Sequence, residues 1–117
     1  MQKLLFMINA SPYGSERSLS ALRLITTLLA QDQPPQIKVF LLSDAVPIAL
    51  AGQKTAAPPN LGEMTAEIIS LGAQVHVCRT CVEARGLEKA AWLNDVAIGT
   101  MPELAQWTLE ADKVISF

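Results

Sequence analysis

Apolar residues fill consecutive positions in Lys3–Asn9, with no polar residue alternating between them. A strand with one wet face alternates, whereas a strand covered on both faces does not. The run therefore predicts a central strand of a parallel sheet, and parallel pairing demands crossover segments packed on the sheet. Ile37–Leu42, Gln74–Val77, Val96–Gly99 and Lys113–Phe117 read as four further short strands.

Helical spacing lies between these strands. From Glu16 to about Gln31, Leu19, Leu22, Ile25, Leu28 and Leu29 form one stripe, and Pro34-Pro35 ends it. The turn before it, Ala10–Gly14, is rich in Ser, Pro and Gly, with Ser11 or Ser15 as the expected cap. Ser43 or Asp44 is expected to cap a short helix over Ala45–Ala51, with Pro47 in its first turn and Gly52 closing it. Gln53–Asn60 is the longest loop and reads as the most mobile segment. Leu61–Leu71 is helical through Leu61, Met64, Ile68 and Leu71, with Gly72 after it. Cys78–Gly86 reads as a turn and short helix, and Leu87–Leu93 as another helical segment. Thr100-Met101-Pro102-Glu103 is a capping box that opens a helix reaching Ala111. Strands alternating with helices in this way predict an α/β fold: a doubly wound three-layer α/β/α sandwich with a mainly parallel five-stranded sheet, forming one domain over residues 1–117.

Half of the residues are apolar and only 17% are charged, which is rich for a small domain with much surface to cover. A sheet buried on both faces accounts for part of this, and apolar surface shared between subunits for the rest. The net charge is −2 and the nine basic residues are scattered, so direct nucleic-acid binding is not expected. The apolar start breaks at Asn9-Ala10-Ser11-Pro12, as a strand end would and a signal peptide would not. No apolar run is long enough to span a membrane, and a cytoplasmic protein is expected. Cysteines in that compartment are reactive or reduced more often than disulfide-bonded.

Both cysteines and the only histidine fall in one stretch, Val75-His76-Val77-Cys78-Arg79-Thr80-Cys81-Val82-Glu83-Ala84-Arg85-Gly86. Only a thiolate is a good sulfur nucleophile. Cys78 stands where a strand passes into a helix, in the field of backbone N–H groups, with Arg79 and Arg85 nearby as thiolate-stabilising cations. Cys81 lies one helical turn on, placed to act as a resolving thiol or simply to pack inward. His76 shares strand parity with Cys78, but a lone histidine in an apolar run is more often a hydrogen-bonded core residue. Cys78, Cys81 and His76 are only three cramped ligands where structural zinc needs four, so no metal or other cofactor is expected. His76 is also too close along the strand to serve Cys78 as a hydrolase base. The Asn9–Glu16 loop lacks the glycines of a phosphate or dinucleotide fingerprint and reads as an ordinary strand-to-helix turn, while Trp92 and Trp107 read as core or interface residues.

Asn9-Ala10-Ser11-Pro12-Tyr13-Gly14-Ser15-Glu16, Phe40-Leu41-Leu42-Ser43-Asp44-Ala45-Val46, Cys78-Arg79-Thr80-Cys81 with Arg85-Gly86, Gly99-Thr100, and Glu103-Leu104-Ala105-Gln106-Trp107-Thr108 with Ala111-Asp112-Lys113-Val114 follow in order along the chain. Together they resemble the DsrE/DsrF-like family, and within it the YchN-type branch. The resemblance implies an α/β/α domain that assembles as a homohexamer. It also implies a thiol at Cys78 that carries sulfane sulfur as a persulfide between donor and acceptor proteins or small thiols. Two other readings stay open beside this sulfurtransferase-like one: a dithiol redox protein cycling Cys78 and Cys81, and a non-catalytic oligomeric binding module using the loops near residues 10–16 and 53–60.

Overall fold

The computed structural model describes residues 1–117. Strands β1 (Lys3–Ile8), β2 (Gln36–Leu41), β3 (Gln74–Cys78), β4 (Ala97–Gly99) and β5 (Lys113–Ser116) form one sheet in the order β4-β3-β2-β1-β5, and every pairing is parallel. Helices α1 (Arg17–Leu29), α2 (Leu61–Ser70), α3 (Arg79–Ala84) and α4 (Met101–Glu110) connect them, with a 3-10 segment at Ser43–Ala49. No helix is long and apolar enough to cross a membrane.

The strand order dictates which face each helix covers. Right-handed crossovers stepping from β1 to β2, β3 and β4 all advance in one direction, so α1, α2 and α3 share one face. The return from β4 to β5 crosses the whole sheet the other way and puts α4 on the opposite face. The three layers are therefore unequal. Nineteen buried residues, among them Phe6, Ile8, Leu22, Ile25, Val39, Leu41, Ile68 and Val77, fill the thick side. Five fill the thin side: Leu5, Phe40, Cys78, Leu104 and Trp107. Strand parity sorts neighbours between the two, with Leu4, Phe6 and Ile8 facing one way and Leu5 the other.

Local structure departs from the sequence expectation in three places. Glu16, not a serine, holds the N-cap of α1, where no side chain caps; Ser15 instead accepts the Arg17 N–H at 3.1 Å, while Ser11 accepts that of Tyr13 at 3.2 Å and so serves the preceding turn. The segment after β2 tightens to 3-10 geometry and starts at Ser43, with Leu42 as an uncapped N-cap, so neither Ser43 nor Asp44 caps it. Leu87–Leu93 is not helical. Its backbone pairs with the end of the 3-10 segment, Ala51 N–H donating to the Ala91 carbonyl and Leu93 N–H to the Ala49 carbonyl, each at 2.9 Å, around an antiparallel Leu50–Trp92 bridge. Tertiary pairing overrides a helical apolar spacing that spans less than two turns.

The Gln53–Asn60 loop, expected to be the most mobile, is tied at both ends. The Gln53 amide donates to the Ile48 and Leu50 carbonyls, Asn60 Nδ2 donates to the Gln53 carbonyl, and Tyr13 Oη donates to Gln53 Oε1 at 2.6 Å. Asn60 also caps α2 by accepting the Glu63 N–H at 3.0 Å.

Candidate functional site

Cys78 closes β3 and pairs in register with Gly99, which closes β4. After Cys78 the chain turns onto the thick face, where Val82 of α3 is buried. After Gly99 it turns onto the thin face, where Leu104 and Trp107 of α4 are buried. Adjacent strands thus send their chains to opposite faces, which is the condition that opens a crevice beyond the carboxyl ends of a parallel sheet. Cys78 stands at that switch point.

Its thiol points to the thin side, among Leu5, Phe40, Leu104 and Trp107, and the residue is 2% exposed. The exposed Thr80 has its Oγ 3.3 Å from Cys78 Sγ, and the half-buried Cys81 packs against the same cluster. Burial is the strongest single influence on the thiol and pushes its pKa up. The Thr80 hydroxyl, the Cys81 thiol and the backbone N–H groups of Cys81 and Thr80 pull it down, and together they win, leaving Cys78 below the ordinary 9.0. None of these N–H groups closes a full cap hydrogen bond on the sulfur, so the Thr80 hydroxyl is its firmest partner.

Cys81 has a different setting. Its Sγ accepts the Ser43 N–H at 3.2 Å. Ser43 holds the left-handed region at φ 51°, a costly conformation for a side-chain-bearing residue, at the turn after β2. Burial, and then the neighbouring Cys78 sulfur, push the Cys81 pKa up, against the Ser43 N–H and the charge of Arg85. Both cysteines are free.

The expected arginine support of Cys78 takes another form. Arg85 donates to Asp44 Oδ1 at 2.8 Å and to the Cys81 carbonyl at 3.1 Å, so its charge bears on Cys81. Arg79 lines a surface hollow with Val82, Glu83, Glu88 and Ile98. The groups that lower the Cys78 pKa are Thr80, Cys81 and their N–H groups, because these lie one turn from the sulfur while the arginine side chains run outward to solvent and to Asp44. Sequence reasoning overlooked Thr80, although a hydroxyl two residues after a strand-ending cysteine is the available signal.

His76 does face the thin side with Cys78. Its Nδ1 donates to Glu103 Oε1 at 2.6 Å, its Nε2 accepts from the Gln74 amide at 3.2 Å, and its ring lies 4.5 Å from that of Trp107. Both ring nitrogens are engaged, and neither engagement involves a cysteine. Thr100 caps α4 by accepting the Glu103 N–H at 3.4 Å, but the Glu103 carboxylate goes to His76 instead of back to the cap, so only half of the expected capping box forms.

The loop after β1 uses its polar groups internally. The Ser18 hydroxyl donates to the Ala10 carbonyl at 2.6 Å, and the Ser11 and Ser15 hydroxyls are taken up by backbone N–H groups. With residues 55–61 the loop frames a surface hollow lined by Pro12, Tyr13, Leu19, Ala57, Pro59 and Leu61. Of the loops at the carboxyl ends of the strands, those after β2 and β3 converge on the cysteines, and Asn9 joins them through a 3.4 Å contact between its Oδ1 and the Ser43 hydroxyl.

Comparison with known proteins agrees with this architecture. The model of the DsrE/DsrF-like family matches residues 2–117. Protein YchN of Escherichia coli K12 is 41% identical over 117 residues, covering the whole of both chains. An uncharacterised protein of Methanopyrus kandleri is 37% identical, covering 95% of this chain and 90% of its own. The crystal structure of the E. coli ychN protein superposes with a TM-score of 0.94 at 42% identity over the whole of both chains. A protein of unknown function from Methanobacterium thermoautotrophicum shares the fold at a TM-score of 0.82 and 16% identity, again over both whole chains.

Proposed function

Since this chain belongs to the DsrE/DsrF-like family, in its YchN-type branch, we propose that it is a sulfur carrier in which Cys78 accepts sulfane sulfur as a persulfide and passes it to a partner thiol. Membership is consistent with a sulfur-relay role in general. The observation that carries the specific reading is the placement of Cys78, which ends β3 at the switch point with the Thr80 hydroxyl 3.3 Å from its sulfur, a setting that draws its pKa down against burial. A thiol that only fills space is pushed up by burial and inert. Here the thiolate attacks the outer sulfur of a persulfide or polysulfide donor, the donor's inner sulfur leaves as thiolate, and Cys78 keeps the transferred atom. The donors and acceptors are proteins or small thiols that displace or slide under the Thr80 side chain to reach the sulfur. The protein works as a cytoplasmic homo-oligomer, a hexamer by family resemblance. Exposed Met101, Leu109 and Val114, on and beside the single helix of the thin side, supply apolar surface for such contacts.

Intact-mass measurement after incubation with a polysulfide tests this directly. Cys81→Ser gains one sulfur atom and Cys78→Ser gains none. Equal loading of both variants, or loading of neither under any donor, overturns the proposal. The pH profile adds a second check. A thiolate nucleophile makes the initial loading rate rise with pH and level off above its own pKa, so a lowered Cys78 places the midpoint below 9.0. Thr80→Val keeps the shape and removes the hydroxyl. It moves that midpoint upward, as read by the ultraviolet absorbance of the thiolate and by loading rate. An unmoved midpoint would mean that Thr80 does not hold the anion.

A further inference from the structure

We propose that Cys81 makes this carrier self-resolving: once Cys78 carries a persulfide, Cys81 attacks Cys78 Sγ, a Cys78–Cys81 disulfide forms, and the outer sulfur leaves as hydrosulfide. The inference rests on the reading that Cys78 takes up sulfane sulfur, and it adds a product, inorganic sulfide.

Access supplies the first argument. Cys78 is 2% exposed, so an external thiol aimed at its inner sulfur meets packed side chains. Cys81 is already inside that layer, half-buried and packed against the same thin-side cluster that holds Cys78. Three positions apart across the start of a helix, the two residues have Cα atoms about 5–6 Å apart, within the span a disulfide bridges without moving the backbone.

The surroundings of Cys81 supply the second. The Ser43 N–H fixes its Sγ at 3.2 Å from a left-handed backbone, and Arg85 grips its carbonyl while anchored on Asp44. These groups are arranged around Cys81 rather than Cys78, and uptake of sulfur at Cys78 requires none of them. The Ser43 N–H aims Cys81 Sγ and, with the Arg85 charge, offsets part of what burial and the Cys78 sulfur cost a thiolate there.

The step balances. The loaded chain holds an anionic persulfide on Cys78 and a thiol on Cys81. The Cys81 proton passes to the outer sulfur, the Cys81 sulfur bonds to Cys78 Sγ, and the bond between Cys78 Sγ and the outer sulfur breaks with its electron pair on the departing hydrosulfide. The sulfane atom is reduced by two electrons and the two cysteine sulfurs are oxidised by two. A dithiol reductant returns the disulfide to the starting pair. A partner thiol must therefore take the outer sulfur before Cys81 completes this step, or the atom is lost as sulfide.

The test loads the full-length protein with polysulfide, removes excess donor, and follows sulfide and intact mass without reductant. Wild type is expected to release one equivalent of sulfide per chain and to finish lighter by two hydrogens than the reduced protein. Cys81→Ser, whose hydroxyl still accepts the Ser43 N–H, is expected to keep the extra sulfur on Cys78 and release none. A wild type that retains its persulfide as Cys81→Ser does overturns the inference while leaving the carrier function standing. If Cys81→Ser itself takes up no sulfur, the carrier reading fails, and this inference with it.

Discussion

Trp107→Ala lowers the unfolding free energy by about 4 kcal/mol, the scale for deleting a large buried aromatic side chain. Trp107 is 7% exposed and meets Phe40 edge-on at 5.8 Å. It also lies 4.5 Å from the His76 ring and carries Lys38 Nζ 4.9 Å over its face. On the thick side a lost side chain leaves three helices in place, but the thin side has α4 alone, and Trp107 and Leu104 are its buried anchors. The cavity has few neighbours able to collapse into it, which puts the cost toward the upper part of the usual range. Denaturant titration reads the loss as a fall in midpoint at unchanged slope. The same variant loosens the cover of Cys78, so alkylation of Cys78 speeds up while that of Cys81 changes little. A loss under about 1 kcal/mol, the size of an average substitution, would show that α4 is not held by this side chain.

The strands were legible because double-sided burial leaves so plain a mark. Leu4, Leu5, Phe6 and Ile8 are all buried, Leu5 on the thin side and the other three on the thick side, and no amphipathic pattern imitates burial on both faces. The helices α1, α2 and α4 were legible for the complementary reason, a regular stripe with a breaker or a cap at one end. Leu87–Leu93 failed because seven residues of mixed apolar character do not distinguish a helix from an extended segment whose partner, Ala49–Ala51, lies some forty positions away.

At the candidate site, the place of Cys78 at the carboxyl end of a strand could be read directly, since it follows from local order. The electrostatics could not. Arg79 and Arg85 are near Cys78 in sequence, but direction matters more than proximity, and Arg85 turns to Asp44 and Cys81. The Ser43 contact with Cys81 spans 38 positions and the Glu103 contact with His76 spans 27. Glu103 carried a strong local meaning as the acid of a capping box, and a tertiary hydrogen bond to His76 replaced it. Both partners belong to chain that leaves the carboxyl end of a neighbouring strand, so the strand order had to be known before either could be found.

Gly99→Ala costs about 2–3 kcal/mol, the upper part of the range of about 1–3 kcal/mol for forcing a methyl into a packed site. The reason is space and not conformation, since Gly99 is not among the residues with positive φ. A Cβ there would stand 2.6 Å from Glu103 Oε1 and 2.7 Å from Phe40 Cε2. The carboxylate can swing aside, but only by giving up His76. The Phe40 ring is fully buried against Trp107 and cannot yield so cheaply. The missing side chain at Gly99 therefore lets α4 start close to the sheet, with Glu103 laid across β4 to reach β3. Gly99 is also the register partner of Cys78, so the strain falls beside the thiol. Two measurements separate the contributions. Loss of the His76–Glu103 bond is read from the His76 ring nitrogen shifts, with Glu103→Gln as the reference for that loss alone. Steric strain is read by adding Phe40→Leu: the smaller side chain makes room, so the double variant is less destabilised than the sum of the two single ones. If Gly99→Ala stays within about 0.5 kcal/mol of wild type, the range of an indifferent surface change, the close approach of α4 to the sheet does not depend on this glycine.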